Sequence, residues 1–474
     1  MQFVKLTIPK KINTLYCLWV TILILPAALF SPVSAQDNSP YSRYGIGDLV
    51  PNSNILSRGM GGITTGFSDY YSVNYNNPAS FASYYAEREL KSKKLLSGRA
   101  VLDIGINIDN RTLKDPAITG KFTTSNALFS YVQVGVPLKK NWGLNFGLRP
   151  ISRVSYNIVS YERLYNPIPP FNNIDSAVTR FQGDGGASLV SVGTGFSIFS
   201  KERYKNLDEK LSVGISGGYL FGRKDYTTRR SLINDSISYN QVNFQNRSTY
   251  GSLYANAGLQ YRKPLSKTMV LSIGANGSWS QKLKTSTDVI KETFYYDDNL
   301  GNVQLDSVSE QTDVRGTLIM PATYAIGFVL QKFTVENKEP GWLIGVDFEK
   351  QNWGNYRFNG QKDSLQNSWQ VRVGAQFNPV PKRNYFSNVA YRLGFFAGPD
   401  YIRIGKNTSQ IGGSFGFGLP FGRSRQAPNQ TTIINLAFEY SKRGNRDNVL
   451  SDNMFRISLG FSLSDAWFIK RKYN

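Results

Sequence analysis

Two carboxylates, Asp347 and Glu349, stand two residues apart in the segment Gly341-Trp-Leu-Ile-Gly-Val-Asp-Phe-Glu349. Same-face neighbours on a strand lie roughly 7 Å apart, a spacing at which glycosidases hold a general acid and a general base. The competing reading is that the pair belongs to the polar interior of a barrel, where acids and bases neutralise one another around water or a plug. Little else in the chain suits catalysis. There is no histidine, and the single cysteine is Cys17. Ser-His-Asp and Cys-His catalysis are therefore excluded, and so are the usual zinc and haem ligand sets. No cofactor or metal is implied, and the chain reads as a non-enzyme. Two glycine-rich runs, Arg58-Gly-Met-Gly-Gly62 and Gly412-Gly-Ser-Phe-Gly-Phe-Gly418, lack the strand-to-helix context of a phosphate loop.

The elements that must position these residues are strands. After Gly98 apolar residues recur with a period of two: Leu211, Val213, Ile215, Tyr219 and Phe221 alternate with Ser212, Gly214, Ser216 and Gly218. Trp369-Val371-Val373-Ala375-Phe377 and Phe455-Ile457-Leu459-Phe461-Leu463 repeat the pattern. Segmentation on that period predicts about fourteen strands, near 98–109, 122–138, 141–155, 186–200, 210–225, 247–262, 268–282, 316–331, 341–352, 367–378, 387–396, 409–420, 431–441 and 453–464. Tight turns at Lys139-Lys140 and Lys263–Lys267 alternate with longer excursions at 156–185, 226–246 and 283–315. That rhythm predicts an all-β, transmembrane antiparallel barrel with short periplasmic turns and long outward connections. A sandwich or propeller is the soluble competitor, but no blade-length repeat is present.

The first residues agree. Met1–Ala35 carries Lys5, Lys10 and Lys11, an apolar run from Leu15 to Phe30, and small residues at Val33 and Ala35, which predicts an export signal. Cleavage would remove three lysines and no acid, taking the formal charge from +22 to +19. An exported basic chain meets anionic lipid rather than nucleic acid. Basic turns at Lys139-Lys140, Lys201-Glu-Arg203, Lys382-Arg383 and Arg423-Ser-Arg425, and the tail Lys470-Arg471-Lys472, face that leaflet or are ordinary solvated charge. Mean hydropathy is −0.32, a value that does not register a barrel because alternating strands average out.

Alternation also assigns charges to faces. With Trp342, Ile344, Val346 and Phe348 toward lipid, Asp347 and Glu349 point into the lumen, and the same rule turns Arg149, Arg372, Arg392, Glu439 and Arg456 inward. A charge at the lipid midplane costs about 2 to 4 kcal/mol per Arg or Lys, which enforces the assignment wherever the register holds. Pro150, in Gly147-Leu-Arg-Pro150, interrupts the third strand and marks a candidate kink. Apolar residues keep even positions on both sides of it, at Val154, Tyr156 and Ile158, so the pattern alone reveals no extra residue.

Ahead of the strands, residues 36–97 form a separate segment, rich in Gly, Asn and Ser from Ser42 onward and closed by Asn74-Tyr-Asn-Asn-Pro-Ala-Ser-Phe81. A lumen of fourteen strands needs a filling or a channel, and this segment is placed to be a plug, leaving 98–474 as the barrel. With Asn77-Pro78-Ala79 between plug and first strand, Met320-Pro-Ala-Thr-Tyr-Ala-Ile-Gly-Phe328 late in the chain, and Val346-Asp-Phe-Glu followed by Trp353, the sequence resembles the FadL-type outer-membrane transporters of long-chain fatty acids and other hydrophobic compounds, in the form common in Bacteroidetes. The resemblance implies a lumen hatch, a ligand captured between outward loops, and sideways release into the membrane beside a kinked third strand, here at Pro150. Outward aromatics such as Tyr161, Tyr165, Phe171, Tyr295 and Tyr296 would line the capture groove or anchor the interface. The expectation is a monomeric barrel in the cell outer membrane, in contact with its lipid, that passes a hydrophobic small molecule such as a fatty acid. The alternative is a barrel of the same class that anchors or shuttles a secreted or envelope protein and carries no small molecule.

Overall fold

The computed structural model describes residues 39–88, 95–115, 120–164, 174–204, 207–234, 239–297, 301–335, 338–421, 430–444 and 450–467. The expected signal at 1–35, the aromatics Tyr165 and Phe171, the Arg423–Arg425 turn and the basic tail fall outside these residues. Fourteen wall strands follow in order: β1 (Leu95–Lys114), β2 (Phe122–Lys139), β3 (Trp142–Arg163), β4 (Ser176–Tyr204), β5 (Leu207–Ile233), β6 (Gln241–Pro264), β7 (Met269–Ser278 and Gln281–Asp297), β8 (Gly301–Met320 and Thr323–Lys332), β9 (Gly341–Gln351), β10 (Ser368–Asn378), β11 (Ala390–Ile404), β12 (Lys406–Phe421), β13 (Thr431–Arg443) and β14 (Ser451–Trp467). Each pairs antiparallel with its sequence neighbours. The sheet closes where β14 meets β1, from Ser451↔Lys114 to Trp467↔Gly98.

The outer surface carries the apolar half of the alternation. Phe146, Val192, Ile215, Tyr219, Leu253, Ile326, Phe328, Ile344, Leu393, Phe395, Phe415 and Phe461 are all exposed on it. No helix among the described residues is long and apolar enough to cross a membrane. A closed antiparallel wall leaves no unsatisfied rim of backbone in lipid, and this outer band makes the chain a transmembrane barrel of the outer-membrane type.

Three expected loops are instead largely wall. β3 and β4 run out to Arg163 and Ser176, β5 and β6 to Ile233 and Gln241, and the 283–315 excursion is a hairpin paired from Gln281↔Met320 to Asp297↔Gly301. Outside the lipid band water wets more of the wall, so the hydrophobic period fades while the backbone period continues. Thr285-Ser-Thr-Asp-Val in β7 is a strand of this kind, silent to a hydropathy-based reading.

The lumen is filled by residues 39–84. A short helix, Ile55–Arg58, is capped by the Asn54 side chain, which accepts from Ser57 N. A 3-10 turn, Pro78–Ser83, is started by Asn77, whose Oδ1 accepts from Ala79 N and whose next residue is the proline suited to a first helical position. Three apolar clusters seat the segment, the largest burying Tyr41 and Ile46 against Leu189, Leu220, Leu318, Trp353 and Tyr401. Leu56, Met60, Ile63 and Phe67 bury against Val329 and Leu343, and Ile55, Val73, Tyr75, Phe81 and Tyr84 bury against Val101, Tyr131 and Ala437.

The fit is at backbone range. A Cβ built on Gly394 would stand 1.9 Å from the backbone nitrogen of Gly61. Gly394→Val is therefore expected to leave a folded barrel that still shifts on heating in gel electrophoresis but to unseat the plug, so that protease cuts within 59–62. Protection equal to that of the unaltered chain would show that the close contact does not hold the plug.

Candidate functional site

Lumen side chains hold the plug by its backbone. Asp347 Oδ2 accepts from the amides of Thr64 and Thr65 at 2.7 and 2.8 Å. Asp103 Oδ2 accepts from Ser72 Oγ at 2.5 Å and from Val73 N at 3.0 Å, while its Oδ1 takes Tyr131 OH and Ser462 Oγ. Gln260 donates to the carbonyls of Thr65 and Phe67, and Asn256 and Asn276 both donate to that of Asn76. Asn77 Nδ2 bridges plug and wall by donating to Thr65 O and Leu259 O. The residues between Asn74 and Phe81 are thus polar because they satisfy a buried chain, with Asn74 Nδ2 reaching Thr64 O and Phe67 O and Ser80 Oγ reaching Asn74 O.

Each charge assigned inward from sequence sits on the lumen side. Glu349 pairs with Arg372 at 2.6 Å, Arg456 pairs with Asp109 at 2.7 Å and Glu439 at 3.5 Å, and Arg392 donates to Gln376 and Asn435. Arg149 donates to Asn52 and lies 5.0 Å from the ring centre of Tyr75. Asp347 is thus engaged with the plug and Glu349 with an arginine, an arrangement that holds structure together and leaves neither carboxyl aimed at a substrate. Among the described residues no cluster of His, Cys, Asp and Glu suits a metal ion.

Sequence reasoning missed several equally important groups. Asp103, Asp109 and Arg111 share the inward parity of β1, a signal within reach of the same rule. Nothing local marked the network at the N-terminal part of the plug, where Asp48 bridges Arg111 and Arg443 at 2.9 Å each, Arg111 also holds Asp452 at 2.9 Å, and Arg443 holds Asp400 at 2.7 Å. Asp48 is buried between these two guanidiniums. Below and around this network lies a cavity of about 270 Å³, lined by Leu49, Asn52, Arg149, Ile151 and Tyr254 among others.

The ladder between β2 and β3 is interrupted. β2 and β3 pair from Lys139↔Trp142 only as far as Val132↔Leu148, whereas β3 and β4 pair along the whole of β3. An extra residue enters each strand at that level. Ser130 is bulged in β2 between Tyr131↔Gly105 and Phe129↔Ile106, and Ile151 is bulged in β3 between Pro150↔Ser188 and Ser152↔Ala187. The second bulge reverses the faces of β3. Asn145 and Arg149 are buried below it, and Ser152, Val154 and Tyr156 above it, so Val154 and Tyr156 leave the outer face that their even positions suggested.

The plug covers the edge of β3 that β2 abandons. Asp48 and Leu49 pair with Arg153 and Ser152, Ser39 N donates to Ser155 O, Val50 N donates to Ile151 O, and Ser152 Oγ donates to Ile46 O. Gly47 makes the approach possible, with φ +103° and a virtual Cβ only 2.2 Å from Arg153 O. Across the seam, Arg153 Nη2 donates to Phe129 O at 2.6 Å.

A family model, BamG, matches residues 16–474. The chain belongs to the BamG family. Among solved structures this BamG chain is similar to a FadL homologue of Pseudomonas aeruginosa, at 13% identity and TM-score 0.49 over 90% of this chain and 100% of that one. It is also similar to the monoaromatic hydrocarbon channel CymD (13%, TM-score 0.47, 88% and 98% covered) and to the Pseudomonas putida toluene transporter TodX (14%, TM-score 0.44, 89% and 99% covered). No curated protein matches.

Asp347→Ala strips the acceptor from two buried amides, a loss of roughly 3 kcal/mol for charge-assisted bonds of this kind. Hydrogen exchange at Thr64 and Thr65 should accelerate about a hundredfold while exchange in the β9–β10 ladder is unchanged. Equal exchange at both amides would remove Asp347 from the role of plug anchor.

Proposed function

We propose that this BamG chain passes small hydrophobic molecules through the outer membrane without an energy source, by a route that ends at the seam between β2 and β3. The observation that carries this reading is the interrupted ladder above Val132↔Leu148. A purely structural wall gains nothing from two bulges and a missing run of pairs, whereas sideways release needs such a break. Pro150 stands beside the extra residue in β3 and serves as the kink. The plug segment 39–50 acts as the cover, and the cavity lined by Leu49, Val50 and Ile151 is the compartment behind it. The similar channels CymD and TodX, for monoaromatic hydrocarbons and toluene, carry substrates of this class. Fatty acid is the finer expectation.

A second reading is favoured by the lower plug. Residues 54–83 are held by Asp347, Asp103, Gln260 and several asparagines at backbone range, and a lumen sealed this firmly suits a membrane anchor or shuttle for a secreted or envelope protein. The two readings differ in whether the cover must move.

Leu49 and Ser152 are register partners, and the sequence has no cysteine other than Cys17. A Leu49→Cys/Ser152→Cys pair therefore permits a reversible lock. In vesicles holding the unaltered protein, a fluorescent hydrophobic probe should enter faster than in empty vesicles. The oxidised pair should abolish that gain and reductant should restore it. Entry no faster than in empty vesicles, together with a stoichiometric envelope protein retained in mild detergent, would replace transport by the anchoring reading.

A further inference from the structure

The connection between β9 and β10, residues 352–367, opens on the same end of the barrel as the three long hairpins β3–β4, β5–β6 and β7–β8. Its first half adds to β8: Arg357 and Phe358 pair with Ile319 and Leu318, and Asn359 N donates to Thr317 O at 2.8 Å. Its second half adds to β11. Leu365 bridges Ile402, Gln366 N donates to Tyr401 O at 2.8 Å, and Arg403 N donates to Ser364 O at 2.9 Å. The connection is therefore a strap fixed at β8 and at β11, two strands beyond those it joins in sequence.

This strap grips the start of the plug. Trp353 and Tyr356 are buried in the apolar cluster that holds Tyr41 and Ile46, and Phe358 and Leu365 pack against it. Both backbone groups of Gly45 are taken. Its N–H donates to Asp363 Oδ2 at 2.6 Å, and its carbonyl accepts from Tyr356 OH at 3.0 Å and from Lys224 Nζ of β5 at 2.7 Å. The Lys224 ammonium also lies 4.6 Å from the centre of the Phe358 ring, so the strap holds this cation as well as the backbone it serves. A carboxylate on an amide and an ammonium on a carbonyl are charge-assisted bonds, and withdrawing the cover from them would leave each charge without its backbone partner.

The seam cover is thus held from two sides. On one side Asp48, Leu49 and Val50 bond to β3, and on the other Asp363 and Tyr356 of the strap bond to Gly45. Asn359, Gly360, Gln361 and Lys362 are exposed at the turn of the strap, so a molecule arriving at this end of the barrel meets the strap before it meets the cover.

We infer that residues 352–367 are a latch on the seam cover, and that the strap lifts from β8 before residues 39–50 part from β3. The mechanical coupling stands on these contacts alone; its use in passing a molecule rests on the transport reading.

The test locks the strap and leaves the cover chemically untouched. Arg357 and Ile319 are antiparallel register partners, a spacing that a disulfide spans, and the sequence has no cysteine other than Cys17. In the full protein carrying Arg357→Cys/Ile319→Cys, hydrogen exchange at Gly45 and Gly47 should slow at least tenfold on oxidation and recover with reductant, while exchange in residues 54–83 is the same in both states. Asp363→Ala should act in the opposite direction, speeding exchange at Gly45 at least tenfold, and Asp363→Asn, which keeps an acceptor, should do so less. These two variants also serve should the cysteine pair fold poorly. Equal exchange at Gly45 and Gly47 in the oxidised and reduced pair, or unchanged exchange in Asp363→Ala, overturns the latch. An oxidised pair that slows this exchange, in vesicles where a fluorescent hydrophobic probe enters no faster than into empty ones in either state, keeps the latch and removes the transport reading.

Discussion

A plug inside a β-barrel must find hydrogen-bond partners in a wall whose own amides and carbonyls are committed to the ladder. Water is scarce at that depth and the cost of an orphaned peptide group is high. The lumen side chains answer this constraint, and much of the architecture follows from it. Asp347 and Asp103 accept from plug amides, Gln260, Asn256 and Asn276 donate to plug carbonyls, and wall glycines such as Gly394 let backbone meet backbone.

The same constraint governs the seam. When β3 parts from β2 above Leu148, the freed edge of β3 needs donors and acceptors, and the plug supplies them through Ser39, Ile46, Asp48, Leu49 and Val50. The edge is therefore satisfied by a segment of the same chain that is not part of the wall. That substitution makes the break tolerable in lipid and also makes it conditional on where the plug segment lies.

Much of this was legible in the residues, within limits that have physical causes. Fourteen strands and the inward placement of Asp347, Glu349, Arg372, Arg392, Glu439 and Arg456 follow from a period of two, because lipid outside and a polar filling inside impose opposite chemistry on alternate positions. The 283–315 hairpin escaped because that contrast weakens where water wets the wall. The inward turn of Val154 and Tyr156 escaped because one bulged residue, Ile151, reverses every later face, and apolar side chains are equally suited to lipid and to a buried plug contact. Ion pairs such as Arg111 with Asp452 are beyond any local pattern, since only barrel closure brings residues 341 apart together.

The plug is held by different contacts in its two parts. Residues 54–83 are fixed by short contacts to glycine-lined strands and by carboxylates on their amides, so displacing them would orphan many groups at once. Residues 39–50 are held by a two-residue strand, by Tyr41 and Ile46 buried in an apolar cluster with Leu189, Leu220, Trp353 and Tyr401, by side-chain hydrogen bonds from Lys224, Tyr356 and Tyr401 to the carbonyls of Gly45 and Gly47, and by the ion pairs of Asp48 with Arg111 and Arg443. If Asp48 moved, those arginines would still retain Asp452 and Asp400 as partners, which lowers the electrostatic cost of displacing the cover. A conduit that opens sideways needs only the upper part to move, and a lumen kept shut against free leakage needs the lower part to stay.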